Sequence, residues 1–241
     1  MNTNKSVGQY VADDYRAASV FEKYGIDFCC KGNATLQAVC AQKELDPVLI
    51  EAELDHVMDS KIAEYIDFKD WPMDLLADYI EKKHHRYVEQ TMPVIKKYLE
   101  KLCLVHGGQH PELIEIAAQF NASCDDLKAH MRKEELVLFP FVRQLSEAHQ
   151  NGTKLNHPPF GSIQNPIHML ELDHAIEGNR FQLIADRSNH YTPPPDACNT
   201  YKVAYALLQE YETDLHKHIH LENNILFQKA IYLEAQVINL N

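Results

Sequence analysis

The stretch His216–Phe227, HKHIHLENNILF, decides how the chain is read. Three histidines stand at alternate positions and Glu222 follows. On a helix turning roughly 100° per residue they cannot share a face. With His218 at the origin, Ala204, Leu207, Tyr211, Leu215, Glu222 and Ile225 fall close to it, whereas His216 and His220 fall on the far side with Gln209, Glu212 and Asn223. His218 and Glu222 therefore occupy the middle of an apolar stripe, and His216 and His220 are expected to face water. A buried carboxylate is costly unless it is paired or bound to a cation, and residues four apart on a helix are neighbours.

One histidine and glutamate at this spacing usually form a solvated polar pair. Here the pattern recurs: HMRKEELVLF (130–139) aligns with HIHLENNILF (218–227) as H-x-x-x-E-x-x-[VI]-L-F. His130 and Glu134 again lie within an apolar stripe, that of Phe120, Leu127, Val137, Phe141 and Leu145. An internal repeat that puts polar residues at buried positions asks for a common cause. Two further histidines sit on inward faces. His84 shares a face with Met73, Ala77, Ile80, Val88 and Ile95, while its neighbour His85 sides with Glu81 and Glu89. His174 lies with Ile167, Leu170, Phe181 and Ala185, and Gly178 stands where the other two motifs carry glutamate, leaving room. Either histidine alone reads as a hydrogen-bonded core residue. Together they supply four imidazoles and, with Glu134 and Glu222, two carboxylates. Two metal ions use this set well, each taking two histidines with both glutamates bridging, and an oxo or hydroxo bridge would leave each ion a vacant position. Imidazole plus carboxylate suits iron, manganese or zinc, and facing helices of a bundle are a known frame for dinuclear sites.

The rest of the chain supports an all-α fold. Segments of 3.6 periodicity run over about 73–102, 111–147, 162–188 and 197–234, separated by stretches rich in Gly, Pro, Asn and Ser. These predict a four-helix bundle over 69–241, with Pro93 bending the first rod or marking an irregular turn. Residues 1–68 read as a small helical domain. ADDYRAASVFEKYG ends at a capping Gly25, and DPVLIEAELDHVM starts with Asp46 as N-cap and Pro47 at the first helical position. DFCCKGN lies between those helices, and DSKIAEYIDFKDWP leads into the bundle.

Bulk properties exclude several classes. A formal net charge of −12 argues against a nucleic-acid partner. No apolar run approaches membrane-spanning length, and MNTNKSVGQYVADDYR lacks the apolar core of a secretory signal. Six irregularly spaced cysteines do not resemble a disulfide framework, so a reducing cytoplasm is expected.

In order along the chain, YGIDFCCKGNATL, AQKELDPVLIEAEL, HRYVEQTMP, HMRKEELVLFP, LELDHAIEG, TPPPDAC and HIHLENNILF resemble the iron–sulfur cluster repair di-iron proteins (RIC/YtfE/ScdA type) of the hemerythrin-like superfamily. The resemblance implies a hemerythrin-like bundle with an oxo- or hydroxo-bridged pair of iron ions on His84, His130, Glu134, His174, His218 and Glu222. It implies repair of iron–sulfur proteins damaged by nitrosative or oxidative stress, by iron delivery. Binding of nitric oxide or dioxygen, or reduction of nitric oxide, is the alternative use of the same centre. It also implies a functional thiol pair at Cys29 and Cys30, as a redox, metal or cluster contact; thiolate reactivity follows a lowered pKa, which the neighbouring Lys31 would favour. Two departures stand out: Lys31 precedes Gly32 where the family usually has two glycines, and the second motif ends in LFQ, at Gln228, rather than LFP. Tyr87, Asp126 and Asp173 are candidates to orient ligands. Cys40, Cys103, Cys124 and Cys198 read as structural. The oligomeric state stays open, a homodimer included.

Overall fold

In a computed structural model the described residues are 5–59 and 66–238. Part of the stretch expected to lead into the bundle, residues 60–65, lies outside them. The N-terminal helices are α1 (Val7–Asp13), α2 (Ala17–Lys23), α3 (Leu36–Lys43) and α4 (Pro47–Asp59). Ser6 caps α1 reciprocally with Gln9. Gly25 ends α2 in the left-handed region at φ +59°, as its sequence position predicts. Asp46 accepts the Val48 N–H at 2.9 Å, and Pro47 opens α4.

Four rods follow. α5 (Met73–Tyr79) runs through a π-helical turn, Ile80–His85, into α6 (Arg86–His106). α7 (Glu112–Lys133) runs through a second, Glu134–Leu138, into α8 (Phe139–Asn151). α9 is Gln164–Arg187. α10 (Asn199–Leu221) runs through a third, Glu222–Leu226, into α11 (Phe227–Val237). The rods end within four residues of the limits predicted from periodicity. Among the described residues there is no strand beyond two isolated bridges. α6 continues past Pro93, and the irregular turn of this rod lies earlier, at 80–85.

The π-helical turns explain where the inward histidine of the first rod falls. A π-turn inserts one extra residue into an α-helical ladder and slips every later side chain in phase. Met73, Leu76, Ala77, Ile80 and His84 follow one buried seam; His85, Val88, Met92, Ile95, Leu99 and Leu102 follow the next. Both histidines are buried, and the seam changes between them. In the repeated motif the glutamate opens the π-turn and the terminal phenylalanine closes it: Phe139 N–H bonds to Glu134 O, and Phe227 N–H to Glu222 O. The sequence repeat is thus a buried histidine–glutamate turn followed by a phase slip.

The core falls into two apolar clusters. One gathers Phe120, Leu127, Phe181, Tyr205 and Leu208; the other Leu138, Phe139, Val142, Leu145 and Phe227. The inward histidines and glutamates fall between them along every rod.

The N-terminal helices cover the face of α10 expected to meet water. His220 is buried and His216 half-buried. Phe28 lies edge-on to both rings, with centroids at 5.8 and 6.2 Å, and Tyr15 lies against His220 at 5.9 Å. Desolvation lowers the His220 pKa to about 3 and also lowers that of His216. A helical wheel identifies a buried stripe but not a second interface on the polar side.

The loop between α2 and α3 approaches by its backbone. Gly8 N–H bonds to Gly32 O at 2.8 Å, and a Cβ at Gly32 would come to 2.4 Å from Phe28 O. Lys31 is exposed, so only the second of the two positions needs glycine. Gly32→Ala is expected to destabilise the protein by about 1–3 kcal/mol, lowering the thermal midpoint by roughly 2–4 °C per kcal/mol. Lys31→Gly should leave the midpoint within about 0.5 kcal/mol of the parent. Calorimetry of the two variants checks both.

Candidate metal centre

Glu134 and Glu222 are fully buried, and each reaches across the bundle. Glu134 Oε2 lies 3.3 Å from His130 Nε2 and 3.4 Å from His85 Nε2. Glu222 Oε1 lies 2.9 Å from His218 Nε2, and its Oε2 lies 3.3 Å from His174 Nε2. Two groups result, each with donor atoms all within 4.8 Å of one another: His85, Glu134, His218 and Glu222, and His130, Glu134, His174 and Glu222. Both glutamates belong to both groups. Each group could hold one cation, and the two carboxylates would then be shared between them. The buried donors His85 Nε2, both oxygens of Glu134 and Glu222 Oε2 make no hydrogen bond. Convergent buried donors without partners fit metal ions better than a satisfied polar core.

The first rod brings a different histidine to these groups than the one expected. His84, expected as a ligand, belongs to neither group. Its Nδ1 lies 3.0 Å from Asp214 Oδ1, and its ring stacks on that of His218 at 5.9 Å. His85 takes the place in the cluster because the π-turn at 80–85 moves the inward phase one residue along. The remaining expected residues, His130, Glu134, His174, His218 and Glu222, converge as described.

Outer contacts hold the imidazoles in place. His85 Nδ1 lies 2.9 Å from Glu135 Oε1, His130 Nδ1 lies 3.3 Å from Asp173 Oδ2, and His174 Nδ1 lies 2.8 Å from Asn223 Oδ1. Such partners fix tautomer and ring orientation. Asp173 thus serves His130 on the facing rod rather than its neighbour His174. Asp126 pairs with Arg180 instead, at 2.7 Å. Tyr87 turns its ring toward Tyr211, with centroids 6.3 Å apart. Glu135 and Asn223 were not apparent from sequence, since each directly follows a glutamate that looks like the ligand of its turn. The motif phenylalanines also have a place: Phe139 stacks on His85 and Phe227 on His174, with interplanar angles of 19° and 4°.

Without cations, protons neutralise the cluster. Burial opposes a charge on His85 and His130, but Glu134, Glu222 and, for His130, Asp173 outweigh it and raise both to about 10. Burial likewise disfavours ionised Glu222, yet His218, His174 and His85 hold its pKa well below the usual range. Burial lowers the His218 pKa.

The double-cysteine loop lies directly against this centre. Cys30 Sγ donates to His174 O at 3.2 Å, and a Cβ on Gly178 would meet that sulfur at 3.0 Å. The room left by Gly178 is filled by Cys30. Asn223 bonds His174 on one side and donates to Cys29 O at 3.2 Å on the other. The Cys29 pKa is raised rather than lowered, by its contact with Cys30, by burial and by Asp27. The thiol with a lowered pKa, about 7, is Cys198, expected to be structural; the N–H of Tyr201 at the start of α10 and His106 at 3.3 Å both favour its thiolate. Gln228 donates to Asn223 O at 3.1 Å, a structural contact.

Known proteins resemble both parts of the chain. A family model described as the hemerythrin HHE cation-binding domain matches residues 77–230, and the ScdA_N model, described as a domain of unknown function, matches residues 3–58. The iron-sulfur cluster repair protein YtfE of Musicola paradisiaca (strain Ech703) is 32% identical over 231 residues, covering 96% of this chain and 98% of that protein. YtfE of Escherichia coli O81 (strain ED1a) is 33% identical over 231 residues, covering 95% and 97%. The chain belongs to the YtfE family. Its hemerythrin-type rods carry both histidine–glutamate groups, and its ScdA_N segment carries the loop that touches His174. No helix among the described residues is long and apolar enough to cross a membrane.

Two outcomes follow for this YtfE-family centre. Replacing His85 by Gln should lower the metal content by about one ion per chain, whereas His84→Gln should leave it unchanged; elemental analysis of both proteins decides. In the chelated protein, protonated His85 and His130 stabilise the fold fully below their ordinary value of 6.5, and that contribution is lost as pH rises toward 10. Thermal unfolding should therefore show the chelated protein losing stability from about pH 7 to 10. The metal-loaded protein should change little over the same range.

Proposed function

We propose that the protein is a cytoplasmic di-iron protein that restores iron–sulfur clusters damaged by nitrosative or oxidative stress, by delivering iron. Its two units are residues 1–68 and 69–241. The sharing of Glu134 and Glu222 between two histidine groups carries the dinuclear reading. The family's named members, iron-sulfur cluster repair proteins matched nearly end to end, carry the functional one.

A bridged iron pair, when bound, supplies exchangeable ferrous iron and adjacent positions for a diatomic ligand. The chain's own residues do the rest. His85 and His218 would hold one ion, and His130 and His174 the other, with Glu134 and Glu222 across both. Glu135, Asp173 and Asn223 keep three of the rings aimed, and the two apolar clusters above and below keep bulk water from the layer. Binding or reduction of nitric oxide or dioxygen would need the same ligands but not the thiols. The bond from Cys30 to His174 O favours repair, because it ties the double-cysteine loop to a ligand-bearing turn.

The test starts from metal analysis of the purified protein, where two irons per chain are expected. A client enzyme whose iron–sulfur cluster has been damaged by nitric oxide is then incubated with it. The parent should restore activity, His85→Gln and Cys30→Ser should lower the rate roughly tenfold or more, and His84→Gln should not. Zinc alone, or equal repair by all four proteins, would contradict the proposal.

A further inference from the structure

Asp27, Cys29 and Cys30 bring three metal-binding side chains together outside the dinuclear centre, with ligand atoms all within 4.8 Å. Adjacent residues cannot point the same way in a helix or strand, but these lie in a bend. Asp27 Oδ1 builds the bend by accepting the N–H of Cys29 at 3.1 Å and of Cys30 at 2.8 Å. The two sulfurs are thereby brought to 3.7 Å, and Cys29 Sγ to 3.3 Å from Asp27 Oδ1. Sulfurs 3.7 Å apart subtend about 107° at an ion about 2.3 Å from each. An oxygen and a sulfur 3.3 Å apart subtend about 100° at an ion about 2.0 Å and 2.3 Å away. Both angles suit a tetrahedral ion with one position open.

The loop lies between a cavity and the turn of His174. A cavity of about 610 Å³ opens between the N-terminal helices and the bundle, with Asp27, Cys29 and Gly178 in its wall together with Glu22, Glu212 and His216. A wall bearing carboxyl groups and an imidazole suits an incoming cation. On the other side, Cys30 touches the turn of His174 and Asn223 joins Cys29 O to His174 Nδ1.

We propose that Asp27, Cys29 and Cys30 form a third metal site that holds a ferrous ion in transit between the cavity and the dinuclear centre. Resting on the repair reading, it names the path of the delivered iron. Binding is a ligand exchange without electron transfer. Two S–H groups release protons to water as two metal–sulfur bonds form, and Asp27 supplies the carboxylate. One position stays free for the next ligand, so the ion can be passed on.

The test uses the full-length protein, anaerobic and reduced, with the bundle centre first loaded with zinc; cobalt(II) is then added. One equivalent per chain should give a thiolate-to-cobalt charge-transfer band. Nitrogen and oxygen ligands of the bundle cannot produce that band, so cobalt exchanging into the dinuclear centre is silent. The band should vanish in Cys29→Ser and Cys30→Ser. Asp27→Asn keeps an oxygen for the two N–H groups, preserving the bend, and should bind cobalt about tenfold more weakly. In the iron-loaded protein, Cys30→Ser should slow iron loss to an external ferrous chelator several-fold. No thiolate band in the parent, a band surviving in Cys30→Ser, or an unchanged rate of iron loss would overturn the proposal. A parent that gives the band but repairs no client contradicts the proposed function and leaves the site standing.

Discussion

Two carboxylates, Glu134 and Glu222, sit without exposure in one layer of the bundle, close enough to raise each other's energy. Such a pair is tolerable in an apolar interior only when positive charge lies between the groups. The arrangement of the rods follows from that need. Each rod brings an imidazole to the layer, two apolar clusters enclose it, and three of the four rods give up regular α-geometry beside it. In the absence of cations, protons on His85 and His130 take the compensating role, which ties metal affinity to pH through the same residues.

The irregular turns are where local regularity gives way to the site. Glu134 and Glu222 each open a π-turn, and Phe139 and Phe227 close them while stacking on His85 and His174 from other rods. One ten-residue motif thus encodes a buried histidine–glutamate pair, a phase slip and a ring support. Most of this was legible in sequence: the repeat exposed the buried glutamates, and periodicity placed the rods. His85 was not, because a wheel of constant pitch extrapolates through the turn at 80–85 and selects His84. His216 and His220 misled for a different reason. They lie on a polar face of α10 that the N-terminal helices cover, and amphipathicity in one helix carries no information about a second partner. Asn223 was hidden by its neighbour, since Glu222 accounted for the turn.

The N-terminal unit is joined to the metal layer by specific bonds as well as apolar packing. Asn223 spans from Cys29 to His174, Asn224 donates to Phe28 O at 3.2 Å, and Cys30 occupies the space that a glycine leaves on α9. The double-cysteine loop is thus bonded to the backbone of His174 and, through Asn223, to its ring. The ScdA_N segment in this chain places its double-cysteine loop against the turn of His174.

Anomalous diffraction at the iron edge from crystals of the iron-loaded protein tests the central claim most directly. Two peaks per chain are expected, one between His85 and His218 and the other between His130 and His174, both in contact with Glu134 and Glu222. A single peak, a peak held by His84, or no peak between the two glutamates would contradict it.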